Sequence, residues 1–307
     1  MKITKGKQTR AQRVVLYGVE SVGKSTFAAK FPKPLFLDIE QGTSHLDVDR
    51  CEINTWKQLT DALTEAKATD YKTIVVDSAD WAERLCVEDL LASTKKTSIE
   101  DFGFGKGWVM IAERMSRMLS SIDQLIDAGK NVVMIAHSKI VRFEAPDALA
   151  AYDRYELKLS KQSSPLLKEF ADELWFLRFK TKVSTSETGK GKGIGGKERI
   201  LLTTHSAAYD AKTRSGLAEE LPLEWASVAH LFETTAQAVV ASTATPPESW
   251  AGRLAEHEGA VNQFLLGRGV LTSEQTWRDC APEYLERVAL RVDQFINTAI
   301  EWRAANK

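Results

Sequence analysis

Cysteine is scarce in this chain. Cys51, Cys86 and Cys280 are the three among 307 residues. They are odd in number and far apart, without the paired spacing of a disulfide framework or a structural zinc site, which favours a reducing cytosol. An excess of one charge is also lacking: the formal net charge is −1. No overall field would therefore hold the chain on nucleic acid or an anionic membrane, and any such binding has to come from local patches. Long apolar runs are missing too. No segment approaches the roughly 18 apolar residues of a membrane span, and the opening MKITKGKQTRAQR has no apolar stretch of a secretory signal. A cytoplasmic protein with no membrane partner is expected, and no internal repeat is visible.

What is present is enough apolar content for a sizeable core, 43% of residues, arranged as short runs alternating with helical patterns. VVLY (14–17), PLFLDI (34–39), KTIVVD (72–77) and NVVMIA (131–136) read as buried strands of a mainly parallel sheet. Between the last two, Trp108, Ile111, Met115, Met118, Ile122 and Leu125 recur at 3- and 4-residue spacing, which predicts a helix with one buried face. LWFLRFK (174–180) and RILLTT (199–204) flank a Gly/Lys-rich stretch and suggest two antiparallel edge strands joined by a mobile loop. After Phe232 the composition turns to small residues and a Pro pair. The reading is an α/β core over 13–234, preceded by a basic tail (1–12) and followed by a linker (235–249) and a small helical C-terminal domain (250–307). In that domain 250–267 and 282–304 are the expected helices, the second burying Leu285, Val288, Val292, Phe295, Ile296 and Ala299.

The chemistry begins in GVESVGKST (18–26), directly after the first apolar run. A strand that ends in a glycine loop and opens into a helix offers backbone N–H groups and a positive dipole end to phosphate oxygens. Gly18, Val19, Glu20, Ser21, Val22, Gly23, Lys24, Ser25 and Thr26 are the nucleotide-binding candidates. Lys24 would reach the β- and γ-phosphates of ATP, and Ser25 would ligate Mg²⁺. KTIVVDSAD sets Asp77 at the end of a buried strand, the Walker B position, where it can hold the magnesium shell. PLFLDIEQG ends in Asp38 and Glu40, and Glu40 is the candidate to orient or deprotonate an attacking water. NVVMIAHSK ends in His137, a side chain placed to report whether the nucleotide is intact.

In this order GVESVGKST, FLDIEQG, IVVDSAD, the helical GKGWVMIAERMSRMLSSIDQLIDAGKN and VVMIAHSK resemble the RecA-like P-loop ATPase core. SIEDFGFGKGW and LTTHSAAYDAKTRSGL further resemble phage-encoded RecA-like ATP-binding proteins, including the compact single-strand-annealing recombinases. The likeness covers about 12–232. It implies that Glu40 activates water and that His137 stands where such proteins usually carry a γ-phosphate-sensing glutamine. It implies single-stranded DNA bound by two loops. The first, 95–108, holds Lys106 and Trp108; the second, 138–165, holds Lys139, Arg142 and Lys161. Cations interleaved with rings suit sequence-tolerant strand binding. It also implies self-association, with a neighbour's cation completing the ATP site: Arg214 is preferred, and Lys212 and Arg199 are the alternatives. The short segment before the first strand argues against a stable filament of the RecA kind.

The expected function is a Mg²⁺-dependent ATPase of phage-type DNA recombination or repair that binds single-stranded DNA according to its nucleotide state. The alternative is an ATP-gated replication accessory or helicase-loader-type adaptor whose C-terminal helices hold a protein partner, such as a replication or single-strand-binding protein. A small-molecule kinase is the third reading, opposed by the lack of an arginine-rich lid.

Overall fold

A computed structural model of the chain describes residues 5–6, 10–144, 150–185, 191–232, 254–281, 284–285, 288 and 292–306. The chain divides into two compact units, Met1–Thr234 and Thr235–Lys307. The expected linker lies outside the described residues.

The first unit holds ten strands among its described residues: β1 (Arg13–Gly18), β2 (Pro34–Asp38), β3 (Asp49–Glu52), β4 (Thr73–Asp77), β5 (Asn131–Phe143), β6 (Tyr152–Leu157), β7 (Glu173–Thr185), β8 (Gly191–Leu202), β9 (Lys212–Thr213) and β10 (Glu220–Pro222). Their order across the sheet is β10-β8-β7-β1-β5-β4-β2-β3, with β6 on β5 and β9 on β7. From β7 to β3 all neighbours on that path are parallel. This is an α/β fold with a mainly parallel sheet and antiparallel strands at one edge.

Side chains along each strand alternate between two faces. Val15, Tyr17, Leu37, Val76, Met134 and Phe176 face one helical layer. Val14, Leu16, Phe36, Val75, Ile135 and Trp175 face the other. The first layer is α2 (Trp56–Glu65), α3 (Ala79–Thr94), α4 (Lys106–Asp127) and α5 (Ser163–Phe170). In α4 the predicted stripe is buried at Ile111, Met115, Met118, Ile122 and Leu125. Burying one such side chain contributes roughly 1.5–3 kcal/mol, so this stripe, more than helix propensity, fixes α4 on the sheet. The opposite layer is α1 (Lys24–Ala28) with two short turns, Trp225–Ser227 and Ala229–Leu231. There Phe27, Phe31, Trp225 and Phe232 pack ring on ring.

Two sequence readings change. The segment after His137 is no simple loop, because β5 runs on to Phe143 and returns as β6 in a hairpin. Nor are 174–180 and 199–204 two edge strands. β7 is an interior strand parallel to β1, β8 is antiparallel to it, and β10 lies outermost. The Gly/Lys-rich stretch joins this ladder as far as Thr185 and again from Gly191; residues 186–190, the middle of the expected mobile loop, lie outside the described residues.

The second unit packs α6 (Glu258–Gly267) and α7 (Val292–Ala305) around Val261, Phe264, Leu265, Trp277, Ile296 and Ala299. Of the face expected on the last helix, Val288, Val292, Ile296 and Ala299 are buried, and Leu285 and Phe295 pack beside them. Among the described residues no helix is long and apolar enough to cross a membrane.

Candidate functional site

The site begins where β1 stops. A Cβ on Gly18 would stand 2.1 Å from the Leu177 carbonyl oxygen, so no side chain fits there. Gly23, at φ 98°, takes the left-handed conformation that turns the loop into α1. Lys24 is the first residue of that helix and is 7% exposed. Its Nζ donates to the carbonyls of Gly18 (3.1 Å) and Val19 (3.0 Å) and so lies along the loop. Burial lowers its pKa, against the pull of Asp77, Asp80 and Glu40. A cation with few carboxylate partners beside a turn of backbone amides is suited to a phosphate chain.

β4 brings Asp77 to the same place, where Ser25 Oγ donates to its Oδ2 at 2.6 Å. Burial raises the Asp77 pKa to about 6, opposed by the Ser25 hydrogen bond and helped by the nearby Glu40 and Asp38 charges. The Asp77–Ser78 peptide is cis. Magnesium, which the P-loop implies, fits this pair. Hydroxyl and carboxylate oxygens are the hard donors it takes, and a dication would favour the ionised form that burial opposes. Among the described residues no group of three or more His, Cys, Asp or Glu side chains could hold a metal alone. The rest of the shell would therefore come from phosphates and water.

Asp38 and Glu40 divide the work at the end of β2. Asp38 is 2% exposed and accepts from Gly42 N and Thr43 N, both at 3.2 Å, and from Thr43 Oγ1. It thus caps the loop that carries Glu40. The amide of Glu40 donates to the Asp77 carbonyl at 3.2 Å, which ties that loop to β4.

His137 occupies the end of the parallel part of β5. Its Nδ1 is 2.9 Å from Asp80 Oδ2, its amide donates to Asp80 Oδ1 (3.1 Å), and its Nε2 is 3.8 Å from Glu40 Oε1. The Asp80 hydrogen bond raises the His137 pKa, against burial and the Lys24 charge. Against its own burial, the same imidazole holds Asp80 below the usual carboxylate range. Nδ1 carries the proton toward Asp80, leaving Nε2 directed toward Glu40 and the cavity.

One cavity of about 370 Å³ is lined by Ser21, Gly23, Lys24, Ser25, Thr26, Glu40, Gly42, His45, Asp77, Ile135, His137 and Arg199, with Asp38 and Asp80 behind it. A family profile described as an AAA domain matches residues 10–215, from just before β1 to just beyond β9. The chain belongs to this AAA-domain family. It is 31% identical over 137 residues to the SPbeta prophage-derived uncharacterized protein YorG of Bacillus subtilis (strain 168), covering 41% of this chain and 40% of that protein. The chain thus spans about two fifths of the length of that relative. Among solved structures it is similar to the KaiC-like protein PH0186 of Pyrococcus horikoshii OT3, at 14% identity and a TM-score of 0.38 over 69% of this chain and 85% of that one.

Within this AAA domain, nine of the residues read from the sequence meet in the cavity: Ser21, Gly23, Lys24, Ser25, Thr26, Glu40, Asp77, His137 and Arg199, the last expected to act from a neighbour. Val22 does not; it is fully buried in the core below the loop. Gly18, Val19 and Glu20 flank the cavity without lining it.

Arg214, expected to act across a subunit boundary, does not join the cavity of its own chain. It lies by β9, against the first residues of β7 and at the opposite end of the sheet from the loop, with Nη1 2.8 Å from Asp172 Oδ1. The arginine of the AAA-domain cavity is Arg199, on β8 of the same chain. Lys212, the alternative beside Arg214, donates to the carbonyl of Lys168 (2.8 Å).

The DNA-binding candidates divide. Lys106 and Lys161 are exposed. Trp108 is half-buried against the core, Lys139 donates to the Leu159 carbonyl (2.6 Å), and Arg142 faces Asp153 across the β5–β6 hairpin (3.4 Å). Asp80 escaped the sequence reading although it stands three residues after Asp77, because an acid in the first turn of a helix reads as a dipole partner.

Proposed function

We propose that this chain is a magnesium-dependent ATPase of phage-type DNA recombination or repair, and that its nucleotide state sets its grip on single-stranded DNA. The prophage-derived relative supports the setting, and the cavity chemistry supports hydrolysis. Lys24 holds the phosphate chain, Ser25 and Asp77 hold the cation, and Glu40 takes the proton of the attacking water.

The observation that carries the coupling is the position of His137. It sits where β5 leaves the parallel sheet and becomes the β5–β6 hairpin, with one ring nitrogen on Asp80 and the other toward Glu40. Its carbonyl accepts from Lys158 N (2.8 Å) at the far end of that hairpin. One turn along α3 from Asp80, Glu83 accepts from Ser160 N (2.9 Å) and Oγ (2.7 Å). A shift of the imidazole on gain or loss of the terminal phosphate therefore bears directly on the hairpin and on the segment carrying Lys161.

The purified protein is expected to bind single-stranded DNA more tightly with ATP than with ADP, with affinity falling steeply as salt is added. His137→Ala should remove the nucleotide dependence and leave binding itself. Equal DNA affinity in the two nucleotide states of the wild type would overturn the coupling.

An ATP-gated adaptor is the second reading, favoured by the C-terminal unit. That unit has its own core, yet leaves Leu266, Val270 and Ile300 exposed. Capture of a replication protein by the full chain, lost on Leu266→Glu without loss of DNA or nucleotide binding, would support it.

A further inference from the structure

Arg199 is placed unlike the ion-paired arginines of its unit. Arg10, Arg13, Arg114, Arg154 and Arg214 each close on a carboxylate. Arg199 forms no ion pair among the described residues. Its guanidinium lies 5.8 Å from the centre of the Phe179 ring, and one terminal nitrogen is 2.9 Å from where a Cβ on Gly23 would stand. A bare guanidinium thus rests on the residue just before Lys24. β8 is the second strand from β1, about 10 Å away at ordinary strand spacing, and Arg199 bridges the gap across β7. The β7/β8 register shifts between Phe179 and Thr181, directly beside it. An irregularity of this kind re-aims a side chain.

Its side of the loop matters. Glu40, Asp77 and His137 come from β2, β4 and β5, all on one side of β1, whereas Arg199 comes from the other. The water-activating and cation-holding groups mark the terminal-phosphate end, which leaves Arg199 over the inner part of the chain. We propose that Arg199 binds, from within the same subunit, the phosphate oxygens that ATP and ADP share. It is a clamp in cis and not a finger for the terminal phosphate. A guanidinium suits the task because it presents parallel donors to two oxygens at once. The inference rests on the nucleotide site proposed above.

The test measures binding of fluorescent ATP and ADP analogues, with magnesium, to the full chain. Arg199→Ala should weaken both by a similar factor, roughly 10- to 100-fold for the loss of charge-assisted hydrogen bonds. Arg199→Lys should recover only part of the loss, since an ammonium cannot reproduce the fork. Mixing Arg199→Ala with Lys24→Ala protein should restore no turnover, because neither chain then holds a complete site. Unchanged affinity, a loss confined to ATP, or rescue in the mixture would each overturn the cis clamp. A wild type that binds neither nucleotide, or binds them regardless of Lys24→Ala, would remove the site itself and the clamp with it. That failure shows before any Arg199 variant is made.

Discussion

The two ends of the parallel strands are built from the same residue types and do opposite things. At the N-terminal end, Asp172 accepts from Arg10, Arg214 and the Arg13 amide, at 2.8, 2.8 and 3.2 Å. Beside it Glu173, fully buried, accepts from Arg214 N, Ser215 N, Ser215 Oγ and Trp175 Nε1, all within 3.1 Å. Both acids are saturated by donors of their own fold, which is what stability requires of buried charge. At the C-terminal end Asp38 is satisfied too, but the charges that line the cavity are left in hand. Lys24 leans on carbonyls, Asp77 has one hydroxyl, Glu40 faces an imidazole at 3.8 Å, and Arg199 has a ring. The difference is the usual one between scaffold and site in an open α/β sheet, where ligands sit beyond the carboxyl ends of the strands.

Mutation should separate the two ends. The largest effect is expected at the open end. Glu40→Ala should cut ATP turnover by about 1,000-fold, within the range lost with a general base, while nucleotide binding and the unfolding midpoint stay near wild type. Lys24→Ala should lose both binding and turnover. If Glu40→Ala instead lost nucleotide binding along with turnover, its role would be structural.

The next effect belongs to the closed end. Glu173→Ala strands four donors, of which Trp175 Nε1 is in the core, and should cost about 3 kcal/mol in urea unfolding, on the scale of buried polar groups left unsatisfied. Glu173→Gln, which keeps acceptor capacity, should cost less. Nucleotide affinity of the folded fraction should not move. A matching fall in ATP affinity would show the ends to be coupled through β7.

A smaller effect sharpens the role of His137, which faces Asp80, Glu40 and Lys24. Its pKa is raised above the ordinary 6.5 by the Asp80 hydrogen bond, so the pair stabilises the fold fully below about pH 6.5. That contribution fades as pH rises through the raised value. Asp80, held low, stays ionised throughout this window. Unfolding free energy against pH should therefore decline across that window in the wild type, more steeply than in His137→Gln. Equal slopes would mean that the imidazole is not held by Asp80.

Much of the open end was legible in the sequence because backbone geometry dictates it. A phosphate loop needs glycine where φ is positive and where a strand approaches closely, and it needs lysine and serine at fixed offsets, so GVESVGKST identifies itself. Asp77, Glu40 and His137 follow from strands whose apolar runs were equally plain. Which arginine reaches the loop of its own chain was not legible. Arg199 and Arg214 both follow short runs of polar residues near strand ends, and nothing local separates one that reaches the loop from one that pairs with Asp172. The distinction lies in sheet order, since β8 sits two strands from β1, and in a register shift beside Phe179. Asp80 was hidden for the same reason, its partner being 57 residues away. The β5–β6 hairpin escaped because its alternation is weak, with Ile140 largely exposed and Arg154 buried against Asp210.

The smallest expected effect is the most discriminating. Arg214 is more than half exposed, and Asp172 keeps Arg10 and the Arg13 amide when it is removed. Arg214→Ala should thus cost well under about 1 kcal/mol of stability, as exposed ion pairs do. If its place is purely structural, ATP turnover should also stay within about twofold of wild type, measured at protein concentrations that span any self-association. A neighbour's arginine acting on the terminal phosphate would give another pattern, since its removal typically lowers the rate by several orders of magnitude. A loss of that size, appearing only where subunits associate and with unfolding unchanged, would turn the closed end of one chain into part of the open end of the next.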